Sequence, residues 1–344
     1  MEIQELRQQL QTMQKTLATF SRESNIEHVI LSPHTAAVVA LALHNNFIFS
    51  GSMDGMLKLT DISTLQLVRE VSLGPVFQLK IANSRMYSGH TDCIRVWDMV
   101  TYTLVAELPG HIGHVKSIIV QANRLISGAK VSSLPIKKQN KKTTIHSTQT
   151  QGEIKVWDTG SLRCLHTVPN AHKGDIRDFA AVTDSGGMML YLFSCGEDGN
   201  IRSWNRNFIC ERVVKAHRAP IRAMLTASIQ GFGELLITGS EDTFIKIWDV
   251  GLVDPATALL ARIPCLVGVT ALAFVPPCQL ISGHTDGSIR VWSIQTPQAI
   301  RCERLLSGHE ESVRALVVGQ NFFLSGGYDN KIIAWYPTGG APHS

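Results

Sequence analysis

The sequence predicts an all-β fold built from seven copies of one β-hairpin unit. In the clearest copy, Gly239 to Asp249, a turn at Asp242 separates two strands, and alternating apolar residues lead to Trp248. Related stretches end at Asp61, Asp98, Asp158, Asn205, Ser293 and Tyr336. Successive ends lie 37, 60, 47, 44, 44 and 43 residues apart, and repeats of about 40–45 residues are typical of propeller blades. The predicted fold class is therefore a single seven-bladed β-propeller, preceded by a helix.

Gly-His and Trp-Asp pairs at matching places in these copies resemble the WD-repeat propeller family, and the resemblance covers residues 27–337. The resemblance implies that a His, a Ser or Thr, an Asp and a Trp of each blade hydrogen-bond in sequence. By match to that motif the residues are His172, Ser194, Asp198 and Trp204 in blade 4, His217, Thr238, Asp242 and Trp248 in blade 5, and His309, Ser325, Asp329 and Trp335 in blade 7.

The other blades depart from this motif. Blade 3 keeps His111, Ser127 and Trp157 but has no turn Asp, and blade 1 has Leu59-Thr60 where the Trp would stand. Blades 2 and 6 have Gly74-Pro75 and Val267-Gly268 in place of the first His. We expect these irregular blades to be less rigid.

Composition indicates one globular unit without disulfides. Apolar residues make up 44% of the 344 residues and charged residues 17%, which is enough to bury a large core. The seven Cys contain no CxxC pair, which favours reduced thiols and a cytoplasmic or nuclear location. Neither a signal peptide nor an apolar run of about 18 residues occurs, so we expect a soluble intracellular protein without a membrane span.

The residues from 129 to 151 form a polar, basic insertion in blade 3 that we expect to be disordered. The positive charge of its lysines exceeds the formal net charge of the whole chain, which is +4. These lysines are Lys130, Lys137, Lys138, Lys141 and Lys142. The rest of the chain is therefore not uniformly basic, and nucleic acid is not an expected partner. The insertion is interpreted as a nuclear-import or polyanion-binding patch, or as a solvated loop.

Residues 1–24 are predicted to form a helix with a heptad seam. The apolar residues of the seam are Ile3, Leu6, Leu10, Met13, Leu17 and Phe20. Since three heptads are marginal alone, this seam either packs on the propeller or forms a coiled coil with another chain or a second copy. A helix followed by seven blades is similar to the layout of G-protein β subunits, whose helix pairs with a small γ subunit.

The propeller is predicted over residues 25–337, followed by a flexible tail at 338–344. Glu27 to Leu31 has the character of a strand. The resemblance implies that this strand becomes the outermost strand of the last blade, which would join both ends of the chain and leave no unpaired edge at the seam.

No feature predicts catalysis, a cofactor or a metal. The Ser, His and Asp of the motif could suggest a nucleophilic triad, but the set recurs in several blades and includes a Trp. His111 and His114 lack the spacing of a zinc site, and His111 already has a place in the repeat. Phosphate-binding and hydrolase motifs are also missing from the sequence.

The first strands of the seven repeats predict a binding face at one mouth of the central channel. Each strand begins with Val or Ile, and a charge in second place is tolerable only near the channel mouth. Lys116, Arg177 and Arg222 follow each other in blades 3–5, and Arg314 lies across the ring. Together with Glu197 and Glu241 they form the predicted partner-binding face, and the cations are predicted to grip an acidic or phosphorylated peptide. The alternative is that Asp175, Asp178, Glu197 and Glu241 neutralise them.

The sequence therefore predicts a non-catalytic scaffold or adaptor that binds other proteins through its propeller face and its helix. One alternative is a substrate-recognition subunit of a ubiquitin ligase, although the WD-x-R sequence of one such ligase family is absent. Another is a G-protein β-like signalling subunit. A lipid-binding propeller is disfavoured because an FRRG sequence is missing.

Overall fold

The computed structural model describes residues 27–31, 34–131, 151–229, 231–251 and 258–336. The predicted helix at 1–24, the tail at 338–344 and the lysines of the insertion from Lys137 to Lys142 lie outside these residues. Those predictions stay predictions.

Within the described residues, 27 strands form six antiparallel sheets, five of them with four strands each. Blade 1 contains β2 (Val38–His44), β3 (Phe47–Ser52), β4 (Met56–Asp61) and β5 (Leu67–Ser72). Blade 4 contains β13 (Ile176–Thr183), β14 (Met189–Gly196), β15 (Asn200–Trp204) and β16 (Cys210–Lys215). Blade 5 contains β17 (Ile221–Ile229), β18 (Gly233–Ser240), β19 (Phe244–Asp249) and β20 (Leu259–Pro264). Blade 6 contains β21 (Val269–Val275), β22 (Gln279–His284), β23 (Ile289–Thr296) and β24 (Ala299–Leu306).

Blades 2 and 3 share one seven-stranded sheet. Its strands are β6 (Gln78–Ala82), β7 (Arg85–Gly89), β8 (Thr91–Asp98), β9 (Leu104–Gln121), β10 (Arg124–Val131), β11 (Gln151–Asp158) and β12 (Cys164–Lys173). The long β9 is the outer strand of blade 2 in its first part, where it pairs with β8, and the inner strand of blade 3 in its second part, where it pairs with β10. Gly110 and Gly113 between the two parts adopt positive φ angles of 131° and 124°, which side chains other than glycine rarely allow.

Blade 7 closes the ring as the sequence predicts. Its strands are β25 (Val313–Val318), β26 (Phe323–Gly327), β27 (Ile332–Tyr336) and β1 (Glu27–Leu31). β1 pairs with β27 over five residue pairs, from Glu27–Tyr336 to Leu31–Ile332. The first described strand of the chain thus covers the edge of the last.

The seven inner strands β2, β6, β9, β13, β17, β21 and β25 each contact the next, and β25 contacts β2. At the start of each inner strand lies a fully buried Val or Ile, and in most blades a glycine of the preceding blade packs against it. A Cβ atom on Gly239 would lie 2.5 Å from Cγ1 of Val269, and one on Gly283 would lie 2.6 Å from Cγ1 of Val313. The Ser-Gly or Thr-Gly pair of the repeat therefore allows neighbouring blades to approach closely.

The structure corrects the ends of the predicted insertion. Ala129, Lys130 and Val131 continue β10, and they pair with Glu153, Gly152 and Gln151 of β11. These ends belong to a regular ladder because the hairpin of blade 3 extends past the point where the other blades turn. Residues 132–150 lie outside the described part.

Candidate functional site

In every blade except blade 2, a β-bulge at the start of the inner strand aims one side chain into the central channel. In blades 4 and 5 the register skips Arg177 and Arg222, which have no cross-strand partner, and in blade 3 it skips Lys116. The same shift falls at Val39, Thr270 and Arg314. A bulge re-aims the extra residue, so the predicted second position of each strand becomes a ring around the channel.

The channel encloses about 840 Å³. All seven second-position residues line it, namely Val39, Phe77, Lys116, Arg177, Arg222, Thr270 and Arg314. The first-position residues, Val38, Val76, Val115, Ile176, Ile221, Val269 and Val313, are fully buried between the blades. The structure therefore brings the four predicted cations to one channel, as the alignment of the strands predicts.

Carboxylates of blade 4 pair with the cations of blades 3 and 4. Nζ of Lys116 lies 2.5 Å from Oδ2 of Asp175, and a guanidinium nitrogen of Arg177 lies 3.2 Å from the same oxygen. Arg177 also contacts the carboxylate of Glu197, whereas Lys130 is 3.9 Å from Oδ1 of Asp175. Burial by itself would raise the pKa of Asp175, but the cations around it outweigh burial and hold that pKa below its usual value.

In blade 5, Nε of Arg222 donates to Oε1 of Glu241 over 2.6 Å. The carboxyl groups of Glu197 and Glu241 remain 31% and 34% exposed. Ion pairs this close to water contribute little stability, on the order of 0–1 kcal/mol. An incoming anion can therefore compete with these glutamates for their arginines.

Arg314 differs from the other three cations. Its guanidinium lies 5.1 Å from the ring centre of Tyr328 in a cation–π contact. Among the described residues it has no carboxylate partner, and its Nε makes no hydrogen bond. Burial lowers the pKa of Arg314, and the charges of Arg222 and Arg177 lower it further. The three arginines are thus close enough for their fields to overlap.

The expectation that Asp178 neutralises the cations is wrong. Its carboxylate accepts the backbone N–H of Met224 in the next blade over 2.8 Å and that of Phe179 over 2.9 Å. Burial raises the pKa of Asp178 to about 6. The side chain links blades 4 and 5 instead of pairing with Arg177, since the bulge turns the two neighbours in different directions.

Among the described residues of this mouth, three carboxylates therefore face five cations. The cations are Lys116, Lys130, Arg177, Arg222 and Arg314, and the carboxylates are Asp175, Glu197 and Glu241. This set has a surplus of two positive charges. Every cation of the set except Arg314 has a carboxylate within 3.9 Å, so the predicted neutralisation is incomplete.

A second ring lies at the mouth, of which the sequence predicted only Glu197 and Glu241 as residues of the binding face. It consists of the residue before the turn Asp of each repeat: Met53, Thr91, Glu197, Glu241, Thr285 and Tyr328, with Lys130 at the equivalent place in blade 3. Met53 and Tyr328 line the channel together with the first ring. The sequence contains the information needed to find this ring. If the repeats are aligned on their turns instead of on their first strands, these residues take the same position in every repeat.

The repeat networks are structural rather than catalytic. In blade 4, Nε2 of His172 lies 2.7 Å from Oγ of Ser194, and Nε1 of Trp204 donates to the same oxygen over 2.8 Å. Nδ1 of His172 contacts the carboxylate of Asp198 at 3.0 Å. The Ser194 side chain is fully buried and bonded on both sides. A nucleophile in this position would be closed to substrate, so the network stabilises the blade.

Blades 2 and 6 contain the histidine that the sequence analysis found missing, at a different position. His90 and His284 stand two residues after Ser88 and Ser282, and each places Nε2 2.8 Å from its serine oxygen. In regular blades this position is Ser or Gly; in blade 7, a Cβ atom at Gly327 would lie 2.7 Å from Nδ1 of the histidine. In regular blades the histidine thus comes from the segment before the inner strand, and a small residue ends the second strand. In blades 2 and 6 the histidine stands at or just after the end of the second strand instead.

Blade 1 completes its network with other residues, whereas in blade 3 a glutamate lies near the histidine without a hydrogen bond to it. In blade 1, His34 contacts Asp54 at 2.9 Å and Ser50 at 2.8 Å, although Thr60 replaces the Trp. In blade 3, Nδ1 of His111 lies 3.3 Å from Glu153, which takes the place of the turn Asp. The lack of local motif residues thus does not mean that the buried histidine lacks partners.

The transposed histidines give the protein a pH-dependent stability. Burial, with the charge of Arg95, lowers the pKa of His90 to about 4, and burial, with the charge of Arg290, lowers that of His284 to about 3. An unfolded histidine titrates near 6.5, so the unfolded chain binds more protons between pH 6.5 and 4. The free energy of unfolding contributed by these residues is complete above pH 6.5 and falls as the pH falls.

We expect the variant His90→Gln with His284→Gln to show a weaker pH dependence between pH 4 and 6.5, by about 1 kcal/mol per pH unit or more. Glutamine keeps a polar group near the serine but does not titrate. Urea unfolding at several pH values measures the difference, in which the opposite contribution of Asp178 cancels. The exposed His166→Gln is the control, and parallel curves for the double variant and the wild type would refute the assignment.

In the described ranges, no group of three or more His, Cys, Asp or Glu side chains is placed to hold a metal ion. Within the same part of the chain, no helix has both the length and the apolar character needed to cross a membrane.

Comparison with known proteins matches the chain to the family described as "WD domain, G-beta repeat". The matched stretches are 26–61, 162–205, 208–249, 265–293 and 300–336, together more than half of the chain. They leave out 62–161, which holds the transposed histidine of blade 2 and the insertion of blade 3. The matched stretches include the irregular blades 1 and 6, so a missing Trp or a transposed histidine does not by itself prevent recognition of the family.

Similar proteins include "DENN domain and WD repeat-containing protein SCD1" of Arabidopsis thaliana, 27% identical over 68% of this chain. "Nuclear distribution protein nudF" of Aspergillus niger is 23% identical over 77% of this chain. "Mitochondrial division protein 1" of Vanderwaltozyma polyspora is 29% identical over 48% of it. The chain spans 17%, 58% and 24% of these relatives, respectively.

Among solved structures, the crystal structure of the computationally designed Ika8 protein is similar, with a TM-score of 0.62 and 25% sequence identity. The match covers 90% of this chain and 98% of that chain.

Proposed function

Because this chain belongs to the WD40 repeat family, whose domains mediate protein–protein interactions, we propose that it is a non-catalytic scaffold that captures an acidic or phosphorylated segment of a partner protein at the channel mouth. The observation that carries the proposal is the convergence of Arg177, Arg222 and Arg314 on one opening. Planar guanidinium groups match the two oxygens of a carboxylate or phosphate.

The strengths of the ion pairs at this mouth support a mechanism in which an anion of the ligand replaces a glutamate as the partner of an arginine. Glu197 and Glu241 hold Arg177 and Arg222 in place with side chains that remain partly exposed, so an anion from solvent can compete with them, whereas the buried Asp175 stays paired with Arg177. In the described part of the chain, Arg314 has no carboxylate in an ion pair, and it lies near the charges of Arg222 and Arg177, which that of Glu241 opposes. An entering anion relieves the repulsion between the arginines and supplies a hydrogen-bond partner to a partly buried cation, for which a charge-assisted bond contributes about 1.5–3 kcal/mol.

A random peptide library that includes phosphoserine tests the proposal, with the full chain as bait. We expect the wild type to enrich acidic or phosphorylated peptides. The variant Arg177→Glu with Arg222→Glu should bind a selected peptide at least tenfold more weakly and with less dependence on salt, because the attraction between opposite charges is lost.

The matched control is Arg301→Glu with Arg304→Glu, which changes the net charge equally on the exposed outer strand β24. Thermal melts of both variants check that the ring is folded. Selection of peptides without any acidic preference, or equal weakening by both variants, would contradict the proposal.

A further inference from the structure

The channel mouth is divided into two sectors of different chemistry. Both rings carry charges in blades 3, 4 and 5, whereas blade 6 presents Thr270 and Thr285. In blades 7, 1 and 2 the rings contain Tyr328, Val39, Met53 and Phe77, together with Arg314 of blade 7 and Thr91 of blade 2. Position in the ring therefore decides which part of a ligand can lie over which blade.

The apolar sector is accessible from outside. Met53 is 41% exposed and Tyr328 is 44% exposed, so both side chains can be reached by a ligand. The ring of Phe77 stacks on that of His114 with 4.4 Å between their centres. Such stacking holds the Phe77 ring in one orientation, so its contact surface is formed before a ligand arrives.

Arg314 lies at the border of the two sectors. It belongs to blade 7 and contacts the aromatic ring of Tyr328, yet its charge is felt together with those of Arg222 and Arg177. Arg314 can therefore bind an anionic group of a ligand while it contacts the apolar sector. A ligand that reaches Arg314 with its anionic group has its neighbouring residues directly beside Tyr328 and Met53.

We infer that the ligand is an extended peptide segment of a partner protein with an acidic or phosphorylated residue and, a fixed few positions away, a large apolar side chain. The anionic group lies over blades 4 and 5 with Arg314, and the apolar side chain lies on Met53 and Phe77. This inference rests on the proposed function and names its ligand class. Charge and apolar complementarity across the same opening argue for a peptide over a free anion, which would use only one sector.

Two contacts of different kinds should respond differently to salt. The ionic contact weakens as salt screens the charges, whereas burial of an apolar side chain does not. A large apolar side chain that is fully buried contributes enough to change affinity by about tenfold or more. The apolar sector thus sets which acidic peptides bind, and the cationic sector supplies the attraction common to all of them.

The same peptide library tests the inference when its enriched sequences are aligned on the acidic residue. We expect a large apolar residue at one preferred spacing. Met53→Ser, at an exposed position that tolerates the change, and Phe77→Ala leave the charge of the mouth unchanged, so each should weaken a selected peptide about tenfold with an unchanged salt dependence. Arg177→Glu with Arg222→Glu should reduce the salt dependence instead.

The outcomes separate the two hypotheses. Acidic selection without any apolar preference, or full binding by both Met53→Ser and Phe77→Ala, refutes the two-sector ligand and leaves the proposed function standing. Failure to select any peptide refutes the proposed function and the inference with it. Competition by inorganic phosphate as strong as that by the selected peptide would show that only an anion is recognised.

Discussion

Removal of residues 1–33 is expected to leave a chain that aggregates or unfolds without a cooperative transition. The deletion takes away β1, which pairs with all five residues of β27. Leu31 is 3% exposed, and β27 is buried along its whole length. Each lost hydrogen bond between β1 and β27 costs about 1 kcal/mol, and the lost burial of Leu31 costs about 2 kcal/mol. The total loss is comparable with the whole free energy of unfolding of a typical domain, which is about 5–15 kcal/mol.

The deletion also promotes aggregation, an effect separate from the loss of free energy of unfolding. Uncovered β27 would present a free, apolar strand edge to other molecules. Thermal melts and light scattering measure both effects.

The matched control for this deletion is removal of residues 1–22, which ends before β1 and should leave a cooperative melt. A single change, Leu31→Asp, keeps the strand but places a charge in the core, and it should lower the melting temperature. If the 1–33 and 1–22 deletions melt alike, β1 does not close the ring.

Replacement of Thr238 by Val is expected to lower the free energy of unfolding by about 2–5 kcal/mol. The Thr238 hydroxyl oxygen lies 2.9 Å from Nε2 of His217 and accepts Nε1–H of Trp248 over 3.0 Å. All three side chains are buried. Valine keeps the shape but leaves the imidazole nitrogen and the indole N–H without partners, and each unpaired buried group costs about 1–3 kcal/mol.

Thr226→Val makes the same chemical change with a smaller expected effect. Thr226 is only partly buried and donates one hydrogen bond, to the carbonyl of Ala181 over 3.1 Å, so we expect a loss of about 1 kcal/mol. Urea unfolding with an unchanged slope measures both variants. Equal losses at the two sites would show that the shared hydroxyl of blade 5 has no special role.

Much of the channel site could be predicted because it repeats. The inner strands begin in phase seven times, so Lys116, Arg177 and Arg222 could be aligned with Arg314 before any coordinates were known. The closing strand could be placed because the resemblance supplied it. The side chains of Met53 and Tyr328 were missed since they stand outside the strand starts, in the turns.

The sequence by itself determined the number of blades, the all-β fold and the residues that ring the channel, because each follows from a local pattern whose period repeats along the chain. Only the tertiary structure decided which partner each polar group found. Asp175 and Asp178 both flank Arg177, yet one pairs with it and the other reaches Met224. His284 replaces a histidine that other blades take from a different strand. The partner of each polar group depends on a β-bulge and on the space between strands that are far apart in the chain. A local sequence pattern does not encode either of them.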